Sequence, residues 1–458
     1  MAVLVVTDVE VSTVTDTSVI ITWFTGSADA LDRYGFPAPE PAGTELQVVV
    51  IDRVTLKLVP GTLTTVLQDP TPTAYHYAEV NDLQPGTTYS YIAISDGQRA
   101  QQSTMQFPAG PGGSLDYANF FTTLSTPTGR HLFTLALSND LHIGEETSGA
   151  IMNGWPPAFS QDSDLPPYPE VMLEAMLSDL RAPDRGADRL LIAGDLTSNG
   201  LAAEATRARQ LLDGWGTLES DYFVTRGNHD RSRAGISWSG CTVVPDASPE
   251  HHDCWGDVFP YPLQALQSYE AGGLRIIGLD TTTLDAPGGA MSPSQLGALE
   301  DELRRDPDRP TLVFGHHPVT YESAVTTGAG PAFTIDRPTA VALQLLYARA
   351  PGVFFHHSGH THRNKRTFLV DDAQNPVESV EFLEVGAVKE YPGGYTLLRL
   401  HTGGYMVSYY KSRSSLALTW AQRTRRQYYS LYPHYMLGTI ADRNHTVTRD
   451  LSGLVPHR

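Results

Sequence analysis

Short β-branched runs with polar residues at alternate positions dominate the first quarter of the chain. Residues 3–11 and 18–24 form two such runs separated by a polar turn, and residues 45–52 form a third. Alternation over this length predicts strands with one buried face. Leu83-Gln84-Pro85-Gly86-Thr87-Thr88-Tyr89-Ser90-Tyr91 is a turn feeding a strand with aromatic residues at alternate positions. Residues 98–117, rich in Gly, Gln and Pro, read as a loop ahead of a last strand at 119–124, and residues 125–129 read as a linker.

From residue 131 the pattern changes to apolar runs alternating with amphipathic stretches of helical period. The runs at 131–137, 189–193, 222–225, 274–279, 311–314 and 353–355 each end at a cluster of His, Asp, Asn or Gly, and the stretches 171–180, 202–212 and 292–304 predict helices. Ser292-Pro293-Ser294-Gln295 predicts a capping box with proline at the first helical position. Strands alternating with helices predict a layered α/β domain, in which ligands bind beyond the carboxyl ends of the strands. The expected division is an all-β domain over 1–127, an α/β domain over 131–410 and a basic aromatic segment over 411–458. That segment carries Tyr428, Tyr429, Tyr432 and Tyr435, and is expected to be a helix packing its aromatic face on the α/β domain with arginines outward.

The β region resembles a fibronectin type III domain. Trp23 falls on its second strand, and the L-x-P-G-x-x-Y pattern at 83–89 places Tyr89 where its hydroxyl can bond back to the corner. The resemblance implies a β-sandwich.

Composition narrows the function. With 41% hydrophobic and 18% charged residues over 458 positions, the chain is globular, with material for two or three cores. A formal charge of −19 disfavours long nucleic acids, whose binding needs matching positive charge, but not a small phosphorylated ligand. The charge is uneven: residues 1–127 hold thirteen acids and four bases, residues 411–458 two acids and eight bases. No apolar stretch has the length of a membrane helix, and no basic region with an apolar run marks a signal peptide, so a soluble, cytoplasmic protein is expected. Cys241 and Cys254 fit either a local disulfide in an oxidising compartment or two free thiols in a reducing one.

Five clusters carry the chemistry: Asp140-Leu141-His142, Gly194-Asp195, Gly227-Asn228-His229-Asp230, Gly315-His316-His317-Pro318 and Gly359-His360-Thr361-His362. Each follows a predicted strand, where a parallel sheet gathers side chains. Together they supply carboxylate, imidazole and amide ligands, a mixture that suits Zn, Fe, Mn or Ni rather than Ca. In D-x-H and H-x-H, alternate residues share one side of an extended turn and can reach one metal.

In this order the clusters resemble the D-x-H, G-D, G-N-H-(D/E), H and G-H-x-H pattern of the calcineurin-like metallophosphoesterases, over roughly residues 131–400. The resemblance implies a four-layer α/β/β/α domain and a binuclear centre of two divalent or mixed-valence transition ions (Fe, Mn, Zn or Ni). By position, Asp140, His142 and His362 would hold one metal and Asn228, His316 and His360 the other, with Asp195 bridging them. His229 would face the substrate and protonate the leaving group after attack by a metal-bridging hydroxide, an effect worth about 10²–10⁴ in rate. A fibronectin-like domain ahead of such a domain is similar to the layout of purple acid phosphatases. Their colour-giving Tyr is replaced in this chain by Ser198, so no purple colour is expected. Calcineurin's Asp at that position, which orients the catalytic His, is absent too. The ligand set is similar to the D-x-H subgroup that includes class III cyclic nucleotide phosphodiesterases.

His317, Arg226 and His252 are candidate substrate contacts, and Arg363 also flanks a cluster. His356 and His357 read as satisfied core histidines and Asp230 as a turn residue. The expected function is binuclear metal-dependent hydrolysis of a small phosphate ester, a diester in preference to a monoester. The alternative from another class is a non-catalytic binding protein with a structural metal, against which the complete ligand set and His229 both argue.

Overall fold

The alternating runs of the N-terminal region pair as two antiparallel sheets in the computed structural model, which describes residues 3–55, 57–103, 119–149, 158–370 and 376–456. Leu4–Val14, Val19–Leu31 and Tyr75–Val80 lie in one sheet, and Ala42–Val50, Thr64–Thr73, Thr88–Ser95 and Phe120–Thr122 in the other. Val11, Ile21, Trp23, Leu46, Val48, Ala78 and Tyr91 fill the space between them. The Tyr89 hydroxyl accepts the Gln84 N–H at 3.0 Å, which is the expected corner contact. Trp23 donates to Ser95 Oγ at 2.9 Å and stacks on His76. Most of the predicted loop at 98–117 lies outside the described residues.

Two six-stranded sheets follow. The first runs Tyr222–Thr225, Arg189–Ala193, His131–Ser138, Gly394–His401, Gly404–Lys411, Asn444–Thr448, with the first three strands parallel and the rest antiparallel. The second runs Leu266–Ala271, Leu274–Leu279, Thr311–Gly315, Val353–Ser358, Pro376–Glu384, Lys365–Val370, with its four inner strands parallel. Strand alternation decides the layers. Leu135, Leu137 and Leu191 point between the sheets against Ile276, Leu312 and Phe355. Ala136, Leu190 and Ile192 point outward, under helices Tyr168–Arg181 and Ala202–Asp213. Helices Pro293–Arg305 and Arg337–Ala348 cover the second sheet through Leu299, Leu303 and Leu343. The result is an α/β/β/α domain behind an all-β sandwich.

Three features depart from the sequence expectations. The hairpin Gly394–His401 and Gly404–Lys411 was not foreseen because it is buried on both faces and shows no alternation. The Ser292 cap accepts the Gln295 N–H at 3.2 Å, but the Gln295 side chain donates to Ala265 O instead of closing the box.

The C-terminal segment is not one helix with arginines outward. It breaks into Ser415–Thr424, Gln427–Ser430, Pro433–Leu437 and Ile440–Arg443 before adding the strand Asn444–Thr448 to the first sheet. Arg425 is 2% exposed. Its Nε lies 2.7 Å from Glu10 and its Nη1 3.0 Å from Asp8, while Lys411 Nζ reaches Glu10 at 2.6 Å. Arg426 adds a contact to Asp8 at 2.8 Å. The positive charge of the chain's end thus meets the acidic first strand of the sandwich.

Cys241 and Cys254 are joined in a disulfide, the state an oxidising compartment favours. Among the described residues, no helix is long and apolar enough to cross a membrane.

Candidate metal centre

All five clusters meet where the two sheets end. Asp140, Asp195 and Asn228 follow strands of the first sheet, and His316, His360 and His362 follow strands of the second. Asp140 Oδ1 lies 3.3 Å from His362 Nε2 and 3.8 Å from His142 Nε2. Beside this group, His316 Nε2 lies 3.0 Å from Asn228 Oδ1 and 3.1 Å from His360 Nδ1. One oxygen joins the two groups: Asp195 Oδ2 is 3.4 Å from His142 Nε2 and 3.2 Å from His316 Nε2.

The close approach depends on two glycines. A Cβ on Gly227 would stand 2.2 Å from Asp195 N, and one on Gly194 would stand 2.7 Å from Gly227 Cα. Backbone strain marks the same place. Asp140, His142, Asp195, His360 and His362 have φ of 54, 47, 54, 70 and 55°, in the left-handed region that non-glycine residues seldom occupy. Such conformations persist where the surroundings over-determine them, which is typical of functional sites. Asp230 does part of the fixing. Its carboxylate accepts the N–H groups of Leu196, Thr197 and Gly227 at 2.8–3.0 Å, and so ties the Asp195 turn to the Asn228 turn.

The donor set fits cations. Asp140 Oδ1 and His142 Nε2 are buried without a hydrogen-bond partner, whereas buried polar atoms are normally paired. His316 commits Nδ1–H to Ala193 O at 2.7 Å, which turns Nε2 toward Asp195 and Asn228. Burial would lower the His316 pKa, but the Asp195 charge outweighs it and holds the ring up to about 9. Asp140 does the same for His362, also to about 9. The two carboxylates thus favour positive charge at these rings.

A second layer, unnoticed in the sequence, supports one group. Glu145 Oε2 lies 2.8 Å from His142 Nδ1, and Glu390 Oε1 lies 2.6 Å from His362 Nδ1. Lys389 reaches both carboxylates, at 2.7 Å and 3.4 Å. Burial pushes Glu145 up, but Lys389 and His142 overcome it and hold its carboxyl at about 2. Ser148 and Gln427 hydrogen-bond Glu390 from the other side. At His362, whose Nδ1–H donates to Glu390, such backing fixes ring orientation and makes an imidazole a stronger ligand, while at His142 the Glu145 contact is an ion pair without hydrogen-bond geometry.

His229 stands against His142, ring centroids 4.4 Å apart. Its Nδ1–H donates to the Ser198 carbonyl at 2.6 Å, so Nε2 carries the lone pair. The Ser198 carbonyl thus fixes the His229 ring. Burial pulls the imidazole down to about 4 against the pull of Asp195.

Of the three candidate substrate contacts, His317 packs against the cluster, its ring 5.0 Å from His316 and 4.8 Å from His360, while Arg226 and His252 turn away from it. Arg226 is 1% exposed, forked onto Asp253 at 2.5 and 3.0 Å and stacked over Trp255. It is a buried strut. His317 accepts from the Thr281 hydroxyl at Nδ1 and donates from Nε2 to Pro287 O, so both ring nitrogens are spent on the fold. His252 is buried in the disulfide loop, its nitrogens toward Cys241 O and Glu250. Arg363 pairs with Glu384 at 2.8 Å. His356 and His357 bond to Tyr347 and to Ser138 O as core side chains.

Residues 133–364 match the family model of the calcineurin-like phosphoesterases, just over half of the chain, and the protein belongs to that family. A probable glycerophosphodiester phosphodiesterase of Arcobacter nitrofigilis is 27% identical over 131 residues, covering 29% of this chain and 42% of that protein. The chain therefore spans less than half the length of that relative. A 3′,5′-cyclic-nucleotide phosphodiesterase of Nostoc sp. is 25% identical over 253 residues, 53% of this chain and 78% of that one. Among solved structures, purple acid phosphatase from yellow lupin seeds aligns over 98% of this chain and 74% of its own at 15% identity, with a TM-score of 0.43.

Proposed function

We propose that the protein is a two-metal phosphoester hydrolase that acts on small esters, diesters in preference to monoesters. Asp140, His142 and His362 would hold one ion and Asn228, His316 and His360 the other, with Asp195 shared. The observation that carries this is the single oxygen Asp195 Oδ2 standing within 3.4 Å of a histidine from each group. When bound, divalent transition ions polarise phosphoryl oxygens and make water a nucleophile at neutral pH.

The chain's own residues supply the rest. Glu145 and Glu390 hold two of the rings in register, and Asp230 holds the two turns that carry Asp195 and Asn228. His229, fixed through Nδ1 on Ser198 O, offers Nε2 as the atom that would take up a proton from water and pass it to the leaving oxygen. The diester preference is supported by the phosphodiesterase names of relatives from Arcobacter and Nostoc.

The test is hydrolysis of bis-p-nitrophenyl phosphate and p-nitrophenyl phosphate by metal-stripped protein reloaded with Mn, Fe, Zn or Ni. Activity that returns with metal, faster on the diester, is expected. Two bound equivalents without turnover of either ester would leave a metal-stabilised binding protein instead.

A further inference from the structure

The C-terminal tyrosines are not spent wholly on packing. Together with the turn around residues 327–333 they enclose a cavity of about 470 Å³ that opens on His360 and His362. Its other walls include Phe333, Tyr428, Tyr432 and Met436, and among the described residues no Asp, Glu, Lys or Arg lines it.

We propose that this cavity is the subsite for the organic group of the ester, and that the group it takes is flat, aromatic and uncharged. The proposal rests on the reading of the neighbouring cluster as a phosphoester hydrolase. Four observations carry it. The first is continuity: histidines proposed to hold a metal are also cavity walls, so a phosphoryl group at the cluster puts its ester substituent at the cavity mouth. The second is shape. Tyr428 and Tyr432 pack edge to face at 5.6 Å, Tyr432 and Tyr435 at 5.8 Å, and Phe333 lies nearly parallel to His360 at 5.9 Å. Such rings favour another aromatic ring, stacked or edge-on.

The third is charge. A second phosphate or a carboxylate deep in the cavity would lose its hydration and find no Lys or Arg among the lining residues. Arg363, which lies over Tyr435 at 5.1 Å, gives its guanidinium to Glu384 and Thr326. The fourth is rigidity. Tyr435 accepts the Gly328 N–H at 2.9 Å and so ties the two walls together. Tyr428, Tyr429 and Ser430 stand in the left-handed region at φ of 50, 59 and 60°. Three consecutive non-glycine residues in that region mark a wall held in place at a cost, as ligand clamps are.

Binding of phenylphosphonate and methylphosphonate to the Mn-loaded full chain tests this by calorimetry. The two share one anionic head and differ in the ring. Burying the ring should make phenylphosphonate bind at least about tenfold tighter. In Phe333→Ala and in Tyr432→Ala the ratio should fall to within about threefold. Equal affinities in the wild type, alongside hydrolysis of bis-p-nitrophenyl phosphate, would overturn the subsite and leave the hydrolase standing. A ratio that survives in both variants would also overturn it. Failure of either phosphonate to bind, with no ester hydrolysed, would overturn both.

Discussion

Two buried charge networks stand in this molecule and are built to opposite plans. At the seam between the sandwich and the α/β domain, Asp8 and Glu10 meet Lys411, Arg425 and Arg426 at 2.6–3.0 Å, and acids and bases answer each other. At the strand ends, Asp140, Asp195 and Asn228 meet histidines whose ring nitrogens converge, and Asp140 Oδ1 and His142 Nε2 have no hydrogen-bond partner. The seam is complete as protein. The cluster leaves buried polar atoms unpartnered, as a seat for cations would. That difference separates a structural network from a functional one more surely than burial or ionisable content, which the two share.

Breaking each network should give different losses. His229→Ala should keep both metals yet lose about 10²–10⁴ in kcat toward esters with poor leaving groups, and less toward p-nitrophenyl esters. Equal loss on both would remove the proton-transfer role.

Glu10→Gln should leave metal content and turnover intact but cost about 3–5 kcal/mol in stability, because it takes the ion-pair partner from buried Lys411 and leaves Arg425 only Asp8. Chemical denaturation would read it. The same pair gives a pH test. Burial would raise the Glu10 pKa, but Lys411 and Arg425 hold it far below its ordinary 4.5. Its contribution is therefore full above about pH 4.5 and is lost as pH falls toward the folded value. In metal-stripped protein, the stability gap between wild type and Glu10→Gln should be constant from pH 7 to 5 and shrink below 4.5. A gap that widens on acidification would contradict the assignment.

Lys389→Met sharpens the contrast inside the cluster. Lys389 balances Glu145 and Glu390, which back His142 and His362, whereas His316 rests on a backbone carbonyl. The variant should lose about 10–100-fold in affinity for one metal equivalent and leave the other unchanged. Equal weakening of both would mean the second layer serves the whole cluster.

Much of the cluster was legible because strand ends are where a layered sheet gathers side chains, and D-x-H or H-x-H spacing survives in one line of sequence. The sandwich was legible through Trp23 and the Tyr89 corner. The second layer was not, since Glu145, Lys389 and Glu390 obey no spacing rule and Lys389 meets Glu145 across 244 positions. Nor was the Ser198 carbonyl, because a backbone acceptor has no letter. Arg226 misled for a related reason: adjacency in sequence placed it beside the ligands, while its side chain turned to Asp253. The C-terminal arginines misled because the amphipathic pattern cannot name what the other face meets, in this fold the acids of a strand some four hundred residues earlier.

Metal content per chain, measured in the wild type and in Asp195→Asn, bears most directly on the cluster as a seat for two cations sharing one carboxylate. Two equivalents in the wild type and loss from both halves in the variant, by at least about 100-fold in affinity, is the expected result. Two full equivalents in the variant would take Asp195 out of the bridge and contradict it.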